Sequence, residues 1–443
     1  MYREFDKYLE KLAGKPAFIA SYEQYFRDIE NSNTKLAGKS LPTVFHPVVI
    51  TKKDFQFMKS KAEKMAEILL KTVDIYLNNQ EVQDFFEFPA TLQEWIEINP
   101  GYRFPFPISR YDAFYKDGEY KFCEFNTDGT SGMNEVNTLE EIYLGTETGQ
   151  DLQKIFSLEM LELRKATLDA ILKNYCEFLG KDSLEGSKKP NIAIVDFKES
   201  ATISEFKVLR EVFNKCGVPT EICDARELKY RKGSLWYNNY KIDLIYRRAV
   251  TDEMLQNRES ITDLIAAYKD GAVCIVGPLR SQIIHSKLIF TFLSNPLAEK
   301  YFPNEEIDFI KTHIPRTRRL TSEADLIKEI LHNKDYYVLK PHNAYGSKGV
   351  YSGSEFSNKE WAEKVESLVE SGQHKNYLVQ RKIQLPEKEF IIDPQGNKQN
   401  FKVSLAPYVF NGKLQGFYTR ISEVDVITTN LGGKILPLFV SEK

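Results

Sequence analysis

No run in the 443-residue chain approaches the roughly 20 apolar residues that a membrane span requires, so no membrane-spanning function is expected. A leader is not expected either, because the amino terminus MYREFDKYLEKL is amphipathic and charged where a signal peptide would be apolar. Positive charge is not in surplus. Sixty Lys and Arg face 63 Asp and Glu, a formal net charge of -3. Nothing is left over to offset phosphates, which argues against a nucleic-acid partner or a polybasic membrane contact. Cysteine is scarce. Cys123, Cys176, Cys216, Cys223 and Cys274 are odd in number, show no C-x-x-C spacing and lie mostly in apolar segments, so reduced buried thiols are expected. A cytoplasmic globular protein follows, and 42% apolar content in a chain of this length suits two or three domains. Two phosphate motifs are missing as well: G-x-G-x-x-G after the first buried strand, and G-x-x-x-x-G-K-[ST] anywhere.

What is present concentrates at residues 110–126, RYDAFYKDGEYKFCEFN, two short alternating segments joined at a glycine. Asp112, Glu124 and Asn126 offer the hard oxygen ligands that Mg²⁺ prefers, beside the cation Arg110. Whether they share a face depends on the turn, because a one-residue slip moves every strand side chain to the other face. A two-residue Asp117-Gly118 turn alone would set Asp112 opposite Cys123 and scatter the ligands. A three-residue Lys116-Asp117-Gly118 loop sets Tyr115 opposite Glu119 and Arg110 opposite Glu124, gathering the charged groups and leaving Tyr111, Ala113, Cys123 and Phe125 on the other side. The three-residue loop is the expectation. A surface hairpin with ordinary charges is the alternative.

Along the chain, Phe55, Met58, Ala62, Met65, Leu69, Val73 and Tyr76 recur at helical spacing over 52–78, and the first hundred residues look mostly helical. Another helix is expected over about 156–179, followed by a polar linker, GKDSLEGSKKP. From Asn191 the pattern becomes strand, helix, strand: NIAIVDF, SEFKVLREVFNKCG, PTEIC. A hairpin around Asn238-Asn239 follows, then a strand ending in Arg247 and Arg248, then GAVCIVG. The carboxyl end of a strand in an open α/β sheet is where ligands bind, so these arginines are substrate candidates, with exposed structural arginines as the alternative.

A second concentration of chemistry is DYYVLKPHNAYGSKGVYSG, 335–353. A strand from Tyr336 to Pro341 leads into a loop with Gly346, Ser347, Lys348 and Gly349, and Val350-Tyr351 resumes an extended run. Such a loop lets backbone N–H groups approach a phosphate while Lys340 and Lys348 supply charge, although an ordinary hairpin loop would read alike. NYLVQRKI, 376–383, suits a strand lining an adenine slot through Gln380 and its neighbours, or a core strand. FKVSLAPYVFNGKLQGFYTRIS, 401–422, alternates and turns at Asn411-Gly412, ending near Arg420, before a polar loop with Thr428, Thr429 and Asn430. Lys287 stands in a mainly apolar helix, for a phosphate contact or as a snorkelling surface lysine.

The ordered set R-x-D, E-x-N, an S-K-L helix, V-L-K-P with a glycine loop, and T-R-I-S resembles circularly permuted ATP-grasp ligases, especially the synthetase part of glutathionylspermidine synthetase, over about residues 100–435. The acidic pair precedes the nucleotide lysines, as in the permuted group. The resemblance implies an α/β ATP-grasp fold in four parts: a helical region 1–95, a permuted segment 96–185 with the hairpin, a Rossmann-like unit 190–277, and nucleotide-binding subdomains 278–443. It implies ATP and Mg²⁺ as cofactors, Arg110 and Arg420 at the transferring phosphoryl group, and Mg²⁺ on Asp112, Glu124 and Asn126. Lys287, Lys340 and Gln380 would hold the nucleotide, under a 342–349 loop containing Gly346, Ser347, Lys348 and Gly349. The implied activity joins a small-molecule or peptide carboxylate to an amine through an acyl phosphate. A phosphotransferase and a non-catalytic nucleotide binder are the alternatives. No amidase domain precedes this region, so glutathione and spermidine are not implied. The loop 126–135 could hold substrate through Asp128, Thr130 and Ser131.

Overall fold

The computed structural model describes residues 2–442 apart from 37, 187, 201 and 343–347. The amino-terminal region is mostly helical, and its longest helix, Lys52–Asn78, shows how the sequence pattern becomes packing. Thr51 caps it by accepting the Asp54 N–H at 3.1 Å, a contact worth about 1 kcal/mol. Met58, Ala62, Met65, Leu69, Val73 and Tyr76 then fall on one stripe and are buried in the largest core.

That core covers one face of a six-stranded antiparallel sheet that joins distant parts of the chain. Its order is Lys434–Leu436, Lys413–Ser422, Lys398–Phe410, Ile108–Lys116, Glu119–Asn126, with Glu387–Ile391 also on Lys398–Phe410. The central contact pairs Tyr408 with Arg110 across almost three hundred residues of sequence. The early hairpin thus completes a sheet whose other strands come last in the chain.

A second, four-stranded sheet is parallel throughout, in the order Cys274–Val276, Leu244–Arg247, Ile192–Asp196, Thr220–Asp224. Ile192–Asp196 is buried at every position, which explains its continuous apolar run. A third sheet, antiparallel, orders Thr317–Arg319, Tyr377–Arg381, Tyr337–Pro341, Tyr351–Ser352, and packs with two helices around Trp361. The last two strands flank the glycine loop as expected. The turn at Asn411 (φ 45°) and Gly412 (φ 76°) also lies where the sequence put it. The helix expected over about 156–179 starts later, as Leu163–Phe178, because Phe156 closes the preceding helix Glu147–Phe156 at a left-handed Ser157 and Leu158–Glu159 is a short strand.

The 110–126 hairpin corrects the expected turn. Asp117 (φ 50°) and Gly118 (φ 82°) form a two-residue turn that pairs Lys116 with Glu119, since both residues tolerate the left-handed conformation that suits strand twist. The register then shifts: Ala113 pairs with Phe122 but Asp112 with Glu124, leaving Cys123 as the extra residue of a bulge. Burial supplies the reason, because Tyr111, Tyr120, Phe122 and Phe125 all enter the core and only an inserted residue keeps Phe122 and Phe125 on the same side. Arg110 pairs with Asn126, where Glu124 had been expected. Cys123 turns toward the charged face, also against expectation.

Candidate active site

The charged face of the hairpin and the strand Tyr337–Pro341 meet across one cavity of about 330 Å³. Arg110, Asp112, Glu124, Asn126, Lys287, Lys340, Gln380 and Arg420 all line it, together with Ser131 and the 428–430 loop. Alternation places Arg110 and Asp112 on one side of their strand, and direct pairing brings Glu124 and Asn126 alongside them.

The cations and acids already engage each other. Arg420 Nη2 lies 2.7 Å from Asp112 Oδ2, Arg110 Nε 3.4 Å from Asp112 Oδ1, and Lys287 Nζ 2.8 Å from Glu124 Oε1. Burial pushes the Glu124 carboxyl up, but Lys287 and Lys340 beside it win and hold it at about 2. Lys340 Nζ donates to Gln380 Oε1 at 2.8 Å and to the Cys123 carbonyl at 3.4 Å, so the bulge carbonyl helps to aim it. Cys123 is inert by contrast, because burial raises its thiol to about 12. Both arginine guanidinium groups lie over the Tyr418 ring, at 4.7 and 5.4 Å. Arg110 Nη1 also donates to the Ser131 carbonyl at 2.9 Å.

The donor set fits a hard cation. Two carboxylates and an amide oxygen, the hard ligands such a cation takes, project from neighbouring positions of the hairpin, while the buried donors Asn126 Nδ2 and Arg420 Nε lack an acceptor of the kind a phosphate oxygen would supply. Lys287 is not inside a helix: it sits at a break between Gln282–His285 and Leu288–Leu293, which frees its side chain to reach Glu124.

A second cavity, of about 220 Å³, adjoins the first through Arg110, Asn126 and Ser131. Asp128, Gly129, Thr130, Val250, Asp252, Gln282 and His285 complete its lining. Gly132 has to be glycine: at φ 98° a Cβ would stand 2.7 Å from the Tyr408 hydroxyl and 2.8 Å from the Tyr418 ring.

Other candidates are placed differently. Arg247 and Arg248 are buried and committed, Arg247 to Asp128 at 2.6 Å and Arg248 to Glu205 at 3.0 Å, so neither presents a free charge to a substrate. Their strand end lies inside the assembly of sheets, where a lone open sheet would have exposed it. Asp128 is further held by the Thr251 backbone N–H at 2.8 Å. Lys348 is exposed and Gly349 is left-handed (φ 71°), while Gly346 and Ser347 lie outside the described residues. Sequence reasoning missed Tyr418, Lys382 and Asp425. Asp425 accepts from Lys382, Lys402, Ser352 (3.0 Å) and Ser354 (2.7 Å), binding the glycine-loop sheet to the central sheet at the cavity edge. Four separate segments supply that network, so no local signal could have revealed it.

An antiparallel sheet carrying acids, facing a smaller sheet carrying lysine and glutamine across a nucleotide-sized cleft, is the ATP-grasp fold. Residues 215–422 match the family described as circularly permuted ATP-grasp type 2, and the chain resembles those ligases, as its motif order implied. A glutathione synthetase-like effector from Globodera pallida shares the fold at a TM-score of 0.61 and 12% identity, over 97% of this chain and 99% of that one. A putative gamma-glutamylcysteine synthetase from Methylobacillus flagellatus KT aligns at 0.44 and 11%, over 85% and 88%. The ATP-grasp ligase PsnB, solved with Mg and ADP, aligns at 0.33 and 11%, over 58% and 90%. No curated protein matches the sequence.

Proposed function

We propose that the chain is an ATP-dependent carboxylate–amine ligase, working through an acyl phosphate. The observation that carries this is the single cavity in which Asp112, Glu124, Asn126, Arg110 and Arg420 face Lys287, Lys340 and Gln380. A carboxylate resists amine attack because oxide would have to leave. Its oxygen therefore attacks the γ-phosphorus of ATP, the bond to the β-phosphate oxygen breaks, and ADP departs. The amine then displaces phosphate from the acyl carbon.

Lys340 and Lys287 would hold phosphate oxygens, and Gln380 lines the cavity from the strand beside which the base would lie. Arg110 and Arg420, aligned by Tyr418 and Asp112, neutralise the transferring phosphoryl group as negative charge builds on the leaving ADP. Asp112, Glu124 and Asn126 would hold Mg²⁺, which when bound neutralises phosphate charge. The second cavity gives the amine its approach, with Thr130 in its wall and Ser131 at the junction. No helix among the described residues is long and apolar enough to cross a membrane, and we place the enzyme in the cytoplasm with free small molecules or peptides as substrates.

The test is ADP release with Mg²⁺ over a panel of carboxylic acids, with hydroxylamine as trapping amine. Hydroxamate formed in step with ADP supports the ligase. A phosphorylated product stable to hydroxylamine would instead mark a phosphotransferase, and tight ATP binding with no product a non-catalytic binder.

A further inference from the structure

The amino-terminal region carries no recognisable motif, yet Leu36 from that region stands in the wall of the main cavity. The stretch bearing it is anchored on both sides. Thr34 Oγ1 accepts from Asn134 Nδ2 at 2.8 Å and lies 2.9 Å from Thr138 Oγ1, and Ser204 Oγ donates to the Lys35 carbonyl at 3.0 Å. Leu36 and Lys39 exchange backbone hydrogen bonds of 2.9 and 3.0 Å, closing a small turn. Further on, the Pro42 carbonyl accepts from Ile435 N at 2.7 Å, and Val48–Thr51 pairs with Leu438–Ser441. Asn134 is in the first turn of helix Met133–Gly145, three residues after Ser131. These anchors fix Leu36 in the cavity wall through the helix that follows Ser131.

The same cavity is lined by Arg110, Ser131, Arg420, Thr428, Thr429 and Asn430, and Leu36 is the wall residue that comes from the amino-terminal region. A leucine there can neither hold a phosphate nor move a proton. It can cover methylene groups and exclude hydrated ones, and each methylene removed from water adds about fourfold in affinity.

We propose that Leu36 is the specificity wall of the recess that takes the carboxylate substrate, and that it selects a carboxylate bearing an apolar tail. The arginines draw the carboxylate and the leucine covers the chain behind it. This rests on the ligase reading, so the experiment separates the two. Hydroxamate formation is measured with acetate, butyrate and hexanoate for the wild type and for Leu36→Ala and Leu36→Glu. The wild type is expected to prefer hexanoate over acetate by tenfold or more in kcat/KM. Leu36→Glu should abolish that preference, and Leu36→Ala should weaken it severalfold, with KM for ATP unchanged within twofold in both. An unaltered chain-length preference in Leu36→Glu overturns the proposal. Should the wild type form no hydroxamate with any acid, the ligase reading fails by itself, and hexanoate binding in the presence of ADP is followed by saturation-transfer NMR. Binding to wild type that is lost in Leu36→Glu supports the wall; equal binding, or binding to neither, overturns it.

Discussion

Replacing Glu124 by glutamine separates what this residue does for stability from what it does for chemistry. Holding at about 2 a carboxyl whose ordinary value is 4.5 favours the folded, ionised form by about 3 kcal/mol at neutral pH. This contribution is present above the unfolded pKa and is lost as pH falls through the folded one. Glutamine forfeits it but can still accept from Lys287, 2.8 Å from the present oxygen, which restores about 1 kcal/mol. Glu124→Gln should therefore fold at 25 °C with about 2 kcal/mol less stability at pH 7, a gap that narrows in acid. Turnover should fall further, because the lost group is a charged member of the proposed metal set. Losing one preorganised contact costs on the order of 3 kcal/mol in the transition state, about a hundredfold in rate. The assay is acid-dependent ADP release by folded protein, with urea unfolding at pH 7 and pH 3 alongside. Turnover within threefold of wild type would refute the assignment of Glu124, whatever the stability result.

Lys340→Met keeps the aliphatic stem and removes the cation, so affinity for a Mg²⁺–ATP analogue should fall tenfold to a hundredfold by calorimetry; unchanged affinity would remove Lys340 from the nucleotide site. Arg420→Lys keeps the charge but loses the planar fork that reaches Asp112, and kcat should drop about a hundredfold with KM for ATP little changed; a proportional rise in KM would show a ground-state role instead. His46 is buried between Asp6 Oδ1 (3.1 Å) and the Ile391 N–H (3.0 Å), and burial holds it neutral down to about 4. Its folded pKa lies below the unfolded 6.5, so its contribution is complete above pH 6.5 and is lost as pH falls toward 4, about 2 kcal/mol by pH 5. Urea midpoints at pH 7 and pH 5 should show this loss in wild type and not in His46→Asn; parallel losses in both would refute it.

The site was legible in the sequence to the extent that its groups recur at strand spacing. Arg110 with Asp112, and Glu124 with Asn126, are two apart, and alternation alone puts each pair on one face. Their mutual register was not legible, because a two-residue turn with a bulge and a three-residue loop both gather the acids, and core burial of Tyr120 and Phe122 decides between them. That Arg247 and Arg248 are buried was not legible, because their partners Asp128 and Glu205 come from other elements. Leu36 and Asp425 were invisible for a similar reason: their neighbours in space are remote in the chain, and neither belongs to a periodic pattern.

The most direct measurement is a crystal structure of the chain with Mg²⁺ and a non-hydrolysable ATP analogue. The account predicts the terminal phosphate between Arg110 and Arg420, the base beside Gln380, and the cation on Asp112, Glu124 and Asn126. A nucleotide bound elsewhere, or a cleft left empty at saturating analogue, would contradict it.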